Sequence, residues 1–200
     1  MTFNPAAAMT AAKRCKAAYE GPNVIDNNAQ ALVLPDCTAI PGTNDGEDVK
    51  QDAKILGSAD LGQGAEVHRG FLAHYRTLAA RLFASMQANQ ATPPDTSTGH
   101  SLGAAVLVLC IWHRPHMFKG ATVFLFGCPV VGNAEFAAMF AMICRDNGIT
   151  VWNVQGRGDP VPTETPGRDH VGHVVKIGAA IDGRADHPIR SYIRDLEAMV

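Results

Sequence analysis

The chain has almost no net charge to offer a charged partner. Its 17 Lys and Arg stand against 19 Asp and Glu, leaving −2 over 200 residues. That balance gives no reason to expect nucleic acid or an anionic membrane surface as a partner. Long hydrophobic runs are missing as well. The longest apolar stretches, around residues 104–112 and 121–131, fall short of the roughly 20 residues that cross a bilayer as a helix, so no stable membrane insertion is expected. Cysteine is scarce and scattered: Cys15, Cys37, Cys110, Cys128 and Cys144 are odd in number and lack metal-ligand spacing. They read as reduced, mostly buried thiols of an intracellular protein. No leader is evident either, since Lys13, Arg14 and Lys16 follow Ala6-Ala7-Ala8 where a secretion signal has the opposite polarity. The cytoplasm is therefore the expected location, with leaderless export or packaging in a virus particle as the alternatives. Internal repeats, long linkers and low-complexity segments are absent too, which leaves one domain over residues 1–200.

What is present is enough apolar material, 46% of the residues, to bury a sizeable core. Its distribution alternates between the two secondary-structure periods. Helices are predicted over 6–19, 46–55 (capped by Asn44 or Asp45), 67–90, 101–113, 133–147 and 187–199. Strands are predicted over 30–40, interrupted at Pro35-Asp36, and over 121–126, 150–154 and 171–178. Strand alternating with helix implies a mostly parallel sheet covered by helices on both faces.

The most informative stretch is Thr98-Gly99-His100-Ser101-Leu102-Gly103-Ala104. A serine flanked by glycines at i−2 and i+2 has the form of a nucleophile elbow. The strand-to-helix turn is so tight that side chains at Gly99 and Gly103 would meet neighbouring backbone, and the serine hydroxyl stands at a helix N-terminus. Helix-terminal N–H groups there are placed to stabilise an oxyanion. A serine needs a base, and the base needs a carboxylate to orient it. In strand–turn–helix hydrolases the chain order is serine, acid, histidine. Asp159, in Gly156-Arg157-Gly158-Asp159-Pro160-Val161-Pro162, follows a predicted strand, and His187 opens the last predicted helix. Glu164, Asp169 and Asp186 are the competing acids, and His170 and His173 the competing bases. His170 reads as a structural hydrogen-bonding residue behind the acid loop, and His68 as a support for the loop near Thr43. His100 is expected to point away from the reaction centre as a packing residue. The pairs His113/His116 and His170/His173 lack further ligands and are not read as metal sites.

These motifs, with Val67-His68-Arg69-Gly70-Phe71, Gly42-Thr43 with Asp48 and Asp52, Phe126-Gly127-Cys128-Pro129-Val130-Val131-Gly132-Asn133, Asn153, His170-Val171-Gly172 and Tyr192, occur in the order seen in the class 3 lipases. The chain resembles that family, the fungal triglyceride lipases and their relatives, along most of its length. The resemblance implies a compact α/β-hydrolase fold and ester hydrolysis through an acyl-enzyme, with neither metal nor organic cofactor. It implies Ser101 as nucleophile, Asp159 as acid, His187 as base, and Thr43 with the Leu102 N–H as the oxyanion hole. A small-molecule or lipid ester is then the expected substrate; the oligomeric state is left open. Three positions depart from the family pattern. Pro41 stands where arginine is usual, Val49 stands where tryptophan is usual, and residues 91–98 are polar and proline-containing where a central strand should feed the elbow. Pro41 and the polar segment before the elbow leave a second reading, a catalytically weak homologue that binds or builds an assembly. The segment at 44–54 is acidic with little more than Val49 to face a lipid, which favours short or medium acyl esters over interfacial substrates.

Overall fold

A computed structural model describes residues 2–26, 29–42, 57–90, 92–163, 169–179 and 187–200. The predicted helix over 46–55 therefore lies outside the described residues, as do Thr43, the acidic stretch at 44–54, Glu164 and Asp186.

Within the described residues a seven-stranded sheet runs in the order β1 (Val24–Asp26), β2 (Ala29–Leu34), β3 (Cys37–Ile40), β6 (Thr96–His100), β7 (Thr122–Phe126), β8 (Thr150–Gly156) and β9 (His173–Ile177). The first three pair antiparallel, the break at Pro35-Asp36 being the turn of a hairpin. From β3 onward every pairing is parallel. A separate two-stranded ribbon joins β4 (Ser58–Asp60) to β5 (Glu66–His68). Residues 67 and 68, read from sequence as the start of a helix, belong to this ribbon. His68 then caps the helix that begins at Arg69, its Nδ1 accepting from the Gly70 N–H at 3.2 Å.

The strand side chains sort by parity into two layers, as the period of two requires. Val123, Leu125 and Val151 share a core with α2 (Arg69–Asn89), α3 (Leu102–His113) and α4 (Ala134–Asp146). Phe124, Phe126, Trp152 and Val154 face α1 (Pro5–Glu20) and α5 (Ile189–Glu197). α3 is buried on nearly every side from Leu102 to Ile111, which is why its sequence is apolar without an amphipathic stripe. α1 instead turns a narrow face of Ala8, Ala11, Ala12, Cys15 and Ala18 to the sheet, all buried. Small residues there let the helix lie close.

The close packing explains the strand that the sequence hides. β6 forms at Thr96–His100, in the centre of the sheet, against the expectation of a polar break before the elbow. Pro93 and Pro94 precede it, so neither sits in the ladder. Ser97, Thr98, Gly99 and His100 are all buried, and Thr98 lies beside the Cys15 thiol of α1. A strand flanked by helices at short range needs small or β-branched side chains rather than large aliphatic ones. All five cysteines are free and buried.

Candidate active site

The parallel strands end in line. Ile40 pairs with Gly99, His100 with Phe126, Phe126 with Val154, and Gly156 with Ile177. Their carboxyl ends thus form one rim, the place where open α/β sheets present their sites. Ser101 leaves that rim in a left-handed conformation, φ 55° and ψ −129°, immediately before α3. A non-glycine residue held there is strained, and the surroundings enforce it. A Cβ on Gly99 would lie 2.7 Å from Ala104 Cα, and one on Gly103 would lie 2.3 Å from the Ile40 and Pro41 carbonyl oxygens. The Ser101 N–H is tied to the Phe126 carbonyl at 2.9 Å, so the turn hangs from β7 as well as β6. The first N–H groups of α3, beginning with Leu102, have no acceptor within their own helix and face outward at its N-terminus.

Two residues from distant loops meet Ser101. His187 Nε2 lies 2.7 Å from Ser101 Oγ, and His187 Nδ1 lies 2.8 Å from Asp159 Oδ2. Asp159 follows β8 by three residues, and its side chain is fully buried. Burial alone would raise its carboxyl; hydrogen bonds from His187, Tyr192 and the Val161 N–H outweigh burial and hold it below the ordinary carboxylate range. Tyr192, on α5, donates its hydroxyl to Asp159 Oδ2 at 2.5 Å, and Val161 donates to Oδ1 at 2.9 Å. Burial and the neighbouring Asp159 push the Tyr192 phenol well up, so it stays a donor. A sequence signal for Tyr192 existed only as part of a motif; Gly127 carried none of its own. Yet Gly127 has φ +56°, and a Cβ there would sit 2.7 Å from Asp159 Oδ2 and 3.0 Å from both His187 Cε1 and Tyr192 Oη. The end of β7 must be glycine on both counts, conformation and space.

His100 differs from its expected role. Its ring lies 4.7 Å from that of His187, and both ring nitrogens are engaged. Nδ1 lies 2.6 Å from the Tyr19 hydroxyl and Nε2 lies 2.8 Å from the His187 carbonyl oxygen. Tyr19, at the end of α1, also accepts from the Gly42 N–H at 2.8 Å. Nothing in the sequence pointed to Tyr19, which stands 81 positions from His100 and belongs to no pattern.

The other candidates fall elsewhere. Asp169 is exposed. His170 is half-buried against the backbone of Pro162, and burial lowers its pKa. His173 opens β9 with its ring against Trp152, and His113 stacks on Tyr75 at 4.7 Å. Among the described residues no three His, Cys, Asp or Glu side chains gather as a metal site, and no helix is long and apolar enough to cross a membrane.

Comparison with known proteins adds three findings. Residues 37–168 match the family model described as lipase (class 3). A stretch of 112 residues, 54% of this chain, is 32% identical to secreted mono- and diacylglycerol lipase 1 of Fusarium solani. It covers 32% of that protein, so the match spans about a third of the relative's length. Among solved structures, the lipase of Rhizopus microsporus var. chinensis superposes with TM-score 0.61 at 21% identity, over 95% of this chain and 82% of that one. Lipase II of Rhizopus niveus gives 0.62 at 22% identity, over 88% and 77%. Likeness at such identity establishes the α/β-hydrolase fold, a mostly parallel sheet flanked by helices.

The expected cytoplasmic location is overturned by these findings, because the matched relative is by name a secreted protein. The physical reason lies in the residues that were read. The charge pattern at 13–16 belongs to α1, a helix packed on the sheet, and reflects that packing rather than an address. The free cysteines are sealed from solvent and stay unpaired in either redox compartment, so they do not report one.

Proposed function

Because the chain belongs to the class 3 lipase family, we propose that it hydrolyses carboxylic esters of lipid type through a Ser101–His187–Asp159 triad. The observation that carries this reading is the unbroken hydrogen-bonded line from Ser101 Oγ through both nitrogens of His187 to Asp159. His187 takes the Ser101 proton on Nε2 as Oγ attacks the ester carbonyl. The charge that develops on the carbonyl oxygen is held by the Leu102 N–H and by Thr43. Loss of one such donor typically costs about 100- to 1,000-fold in turnover. As the tetrahedral centre collapses, the bond to the alcohol oxygen breaks and protonated His187 gives that oxygen its proton. Water then attacks the acyl-enzyme with His187 again as base, and the carboxylic acid leaves with Ser101 restored. Asp159 stays ionised throughout and steadies the imidazolium, its charge supported by Tyr192 and Val161.

Short or medium acyl chains are the proposed substrates. The acidic composition of residues 44–54 supports this, since a lid that opens on a lipid surface needs an apolar face. The Fusarium solani relative is named for mono- and diacylglycerols, esters with free hydroxyls and more polarity than triglycerides. The alternative of a catalytically weak homologue rested on Pro41 and on the polar segment before Gly99; with β6 formed at Thr96–His100 the second ground is removed, and Pro41 is what still supports it.

Hydrolysis of p-nitrophenyl esters from acetyl to palmitoyl tests the reading. Wild type is expected to turn over the shorter chains and Ser101→Ala to do so no faster than buffer. Equal rates for the two proteins on every chain would refute a serine hydrolase, and a maximum at palmitoyl would refute the chain-length preference alone.

A further inference from the structure

We propose that Tyr19 and His100 are positioning residues that lock the oxyanion loop to the catalytic base through one directed chain of hydrogen bonds. The inference rests on the triad reading above and extends it to residues outside the triad. Each link has a single permitted direction. The Gly42 N–H can only donate, so the Tyr19 oxygen accepts it at 2.8 Å. The Tyr19 proton then goes to His100 Nδ1, 2.6 Å away. With Nδ1 an acceptor, the neutral ring carries its proton on Nε2, and Nε2 donates to the His187 carbonyl oxygen at 2.8 Å. That carbonyl can only accept, so the assignment closes without an alternative.

Protonation of His100 on Nδ1 would break the chain, because two donors would then face the Tyr19 oxygen and its own proton would lose its acceptor. Burial, helped by the neighbouring His187, holds the His100 pKa down at about 3, so the ring stays neutral under ordinary conditions. Burial likewise keeps the Tyr19 phenol protonated. The chain therefore has one state in which every member is satisfied.

Its placement gives it consequence. Gly42 precedes Thr43 and is wedged against the nucleophile: a Cβ there would lie 3.0 Å from Ser101 Cβ, 3.0 Å from Tyr19 Oη and 3.1 Å from the His100 carbonyl oxygen. The Gly42 N–H is thus held by Tyr19 where the elbow leaves no room for a side chain. At the other end, His187 is gripped twice, by Asp159 at its ring and by His100 at its backbone. His100 is itself the elbow residue before Ser101. Loop, nucleophile and base are thus all referenced to the carboxyl end of β6.

Tyr19→Phe keeps the ring and deletes the central hydroxyl. The expected result on p-nitrophenyl butyrate is a kcat lower by roughly tenfold to a hundredfold with KM unchanged, as misplacement of reacting groups costs rate rather than binding. His100→Gln, whose amide can reach the Nε2 position, is expected to retain more kcat than His100→Ala, and it carries the test should Tyr19→Phe fail to fold by circular dichroism. In the wild type, imidazole 15N spectra at pH 7 are expected to show His100 protonated on Nε2 alone. An active wild type with Tyr19→Phe at full kcat, a defect in KM only, or His100 protonated on Nδ1 each overturn the relay and leave the triad standing. A wild type no faster than Ser101→Ala would instead sink the hydrolase reading, and the relay with it.

Discussion

His187 stands between two networks that share a length and differ in charge. On one side its ring meets Asp159, which Tyr192 and Val161 also hold; on the other its backbone meets His100, which Tyr19 ties to Gly42. Each network includes a tyrosine, Tyr192 buried and Tyr19 partly buried, and both come from helices on the same face of the sheet. The Asp159 side carries a formal negative charge, and hydrogen bonds to it are stronger for that reason. The His100 side carries none. A charged network can answer the imidazolium of the proposed reaction, whereas a neutral one can only fix where atoms sit. The pair teaches that a triad is supported in two ways at once, by field and by frame.

Removing the charge should produce the largest effect. Asp159→Asn keeps the shape but no longer fixes the tautomer or balances the imidazolium, and kcat on p-nitrophenyl butyrate is expected to fall by about 10⁴-fold. A loss below tenfold would show that the field contributes little here. Next comes the support of that charge. Tyr192→Phe strips one donor from a fully buried carboxylate and is expected to cost about 1.5–3 kcal/mol in urea unfolding at pH 7. The Asp159 carboxyl lies below its usual 3.8 when folded, so its stabilising contribution is complete above that value and fades as pH falls through the folded one. Loss of the Tyr192 donor raises the folded value, so the fading should be smaller and complete at a higher pH in the variant. An unchanged acid profile would place the support elsewhere.

At pH 7 the neutral side adds no pH dependence, and its effect is a slope at lower pH. Folded His100 has its pKa lowered from 6.5 to about 3, so between those values the unfolded chain binds the extra proton. Stability contributed by the neutral ring is full above pH 6.5 and declines toward pH 3 by up to about 1.4 kcal/mol per pH unit. His100→Gln cannot titrate, and its unfolding free energy is expected to lose that part of the slope between pH 6.5 and 4. Parallel curves for the two proteins would mean that His100 is not held neutral.

The two networks also differ in how far a sequence discloses them. Ser101, Asp159 and His187 sit in motifs whose order and spacing point to one chemistry, and Tyr192 travels with them. Tyr19 and His100 form their contact across 81 positions without a repeating pattern. Only the packing of α1 on β6 brings them together. The strands show the same contrast. β7 reads plainly because Val123, Phe124, Leu125 and Phe126 fill two cores with large side chains. β6 lies beside it, equally buried, and reads as a loop because its neighbours leave room only for Ser97, Thr98 and Gly99. Hydrophobic periodicity reports the size of the space around a strand as much as its burial. The small polar residues at 96–98 were therefore a record of close packing, not of a missing element.

α1 and α5 pack on one face of the sheet, and the site takes Tyr19 from the first and Tyr192 from the second. During synthesis Ser101 and its turn are made long before His187. Residues 187–192 close the constellation, and His187 lies 86 positions beyond Ser101. Contacts of such sequence separation form late because the long loop between partners must be ordered first. The site thus comes together in the same step that seats α5 beside α1.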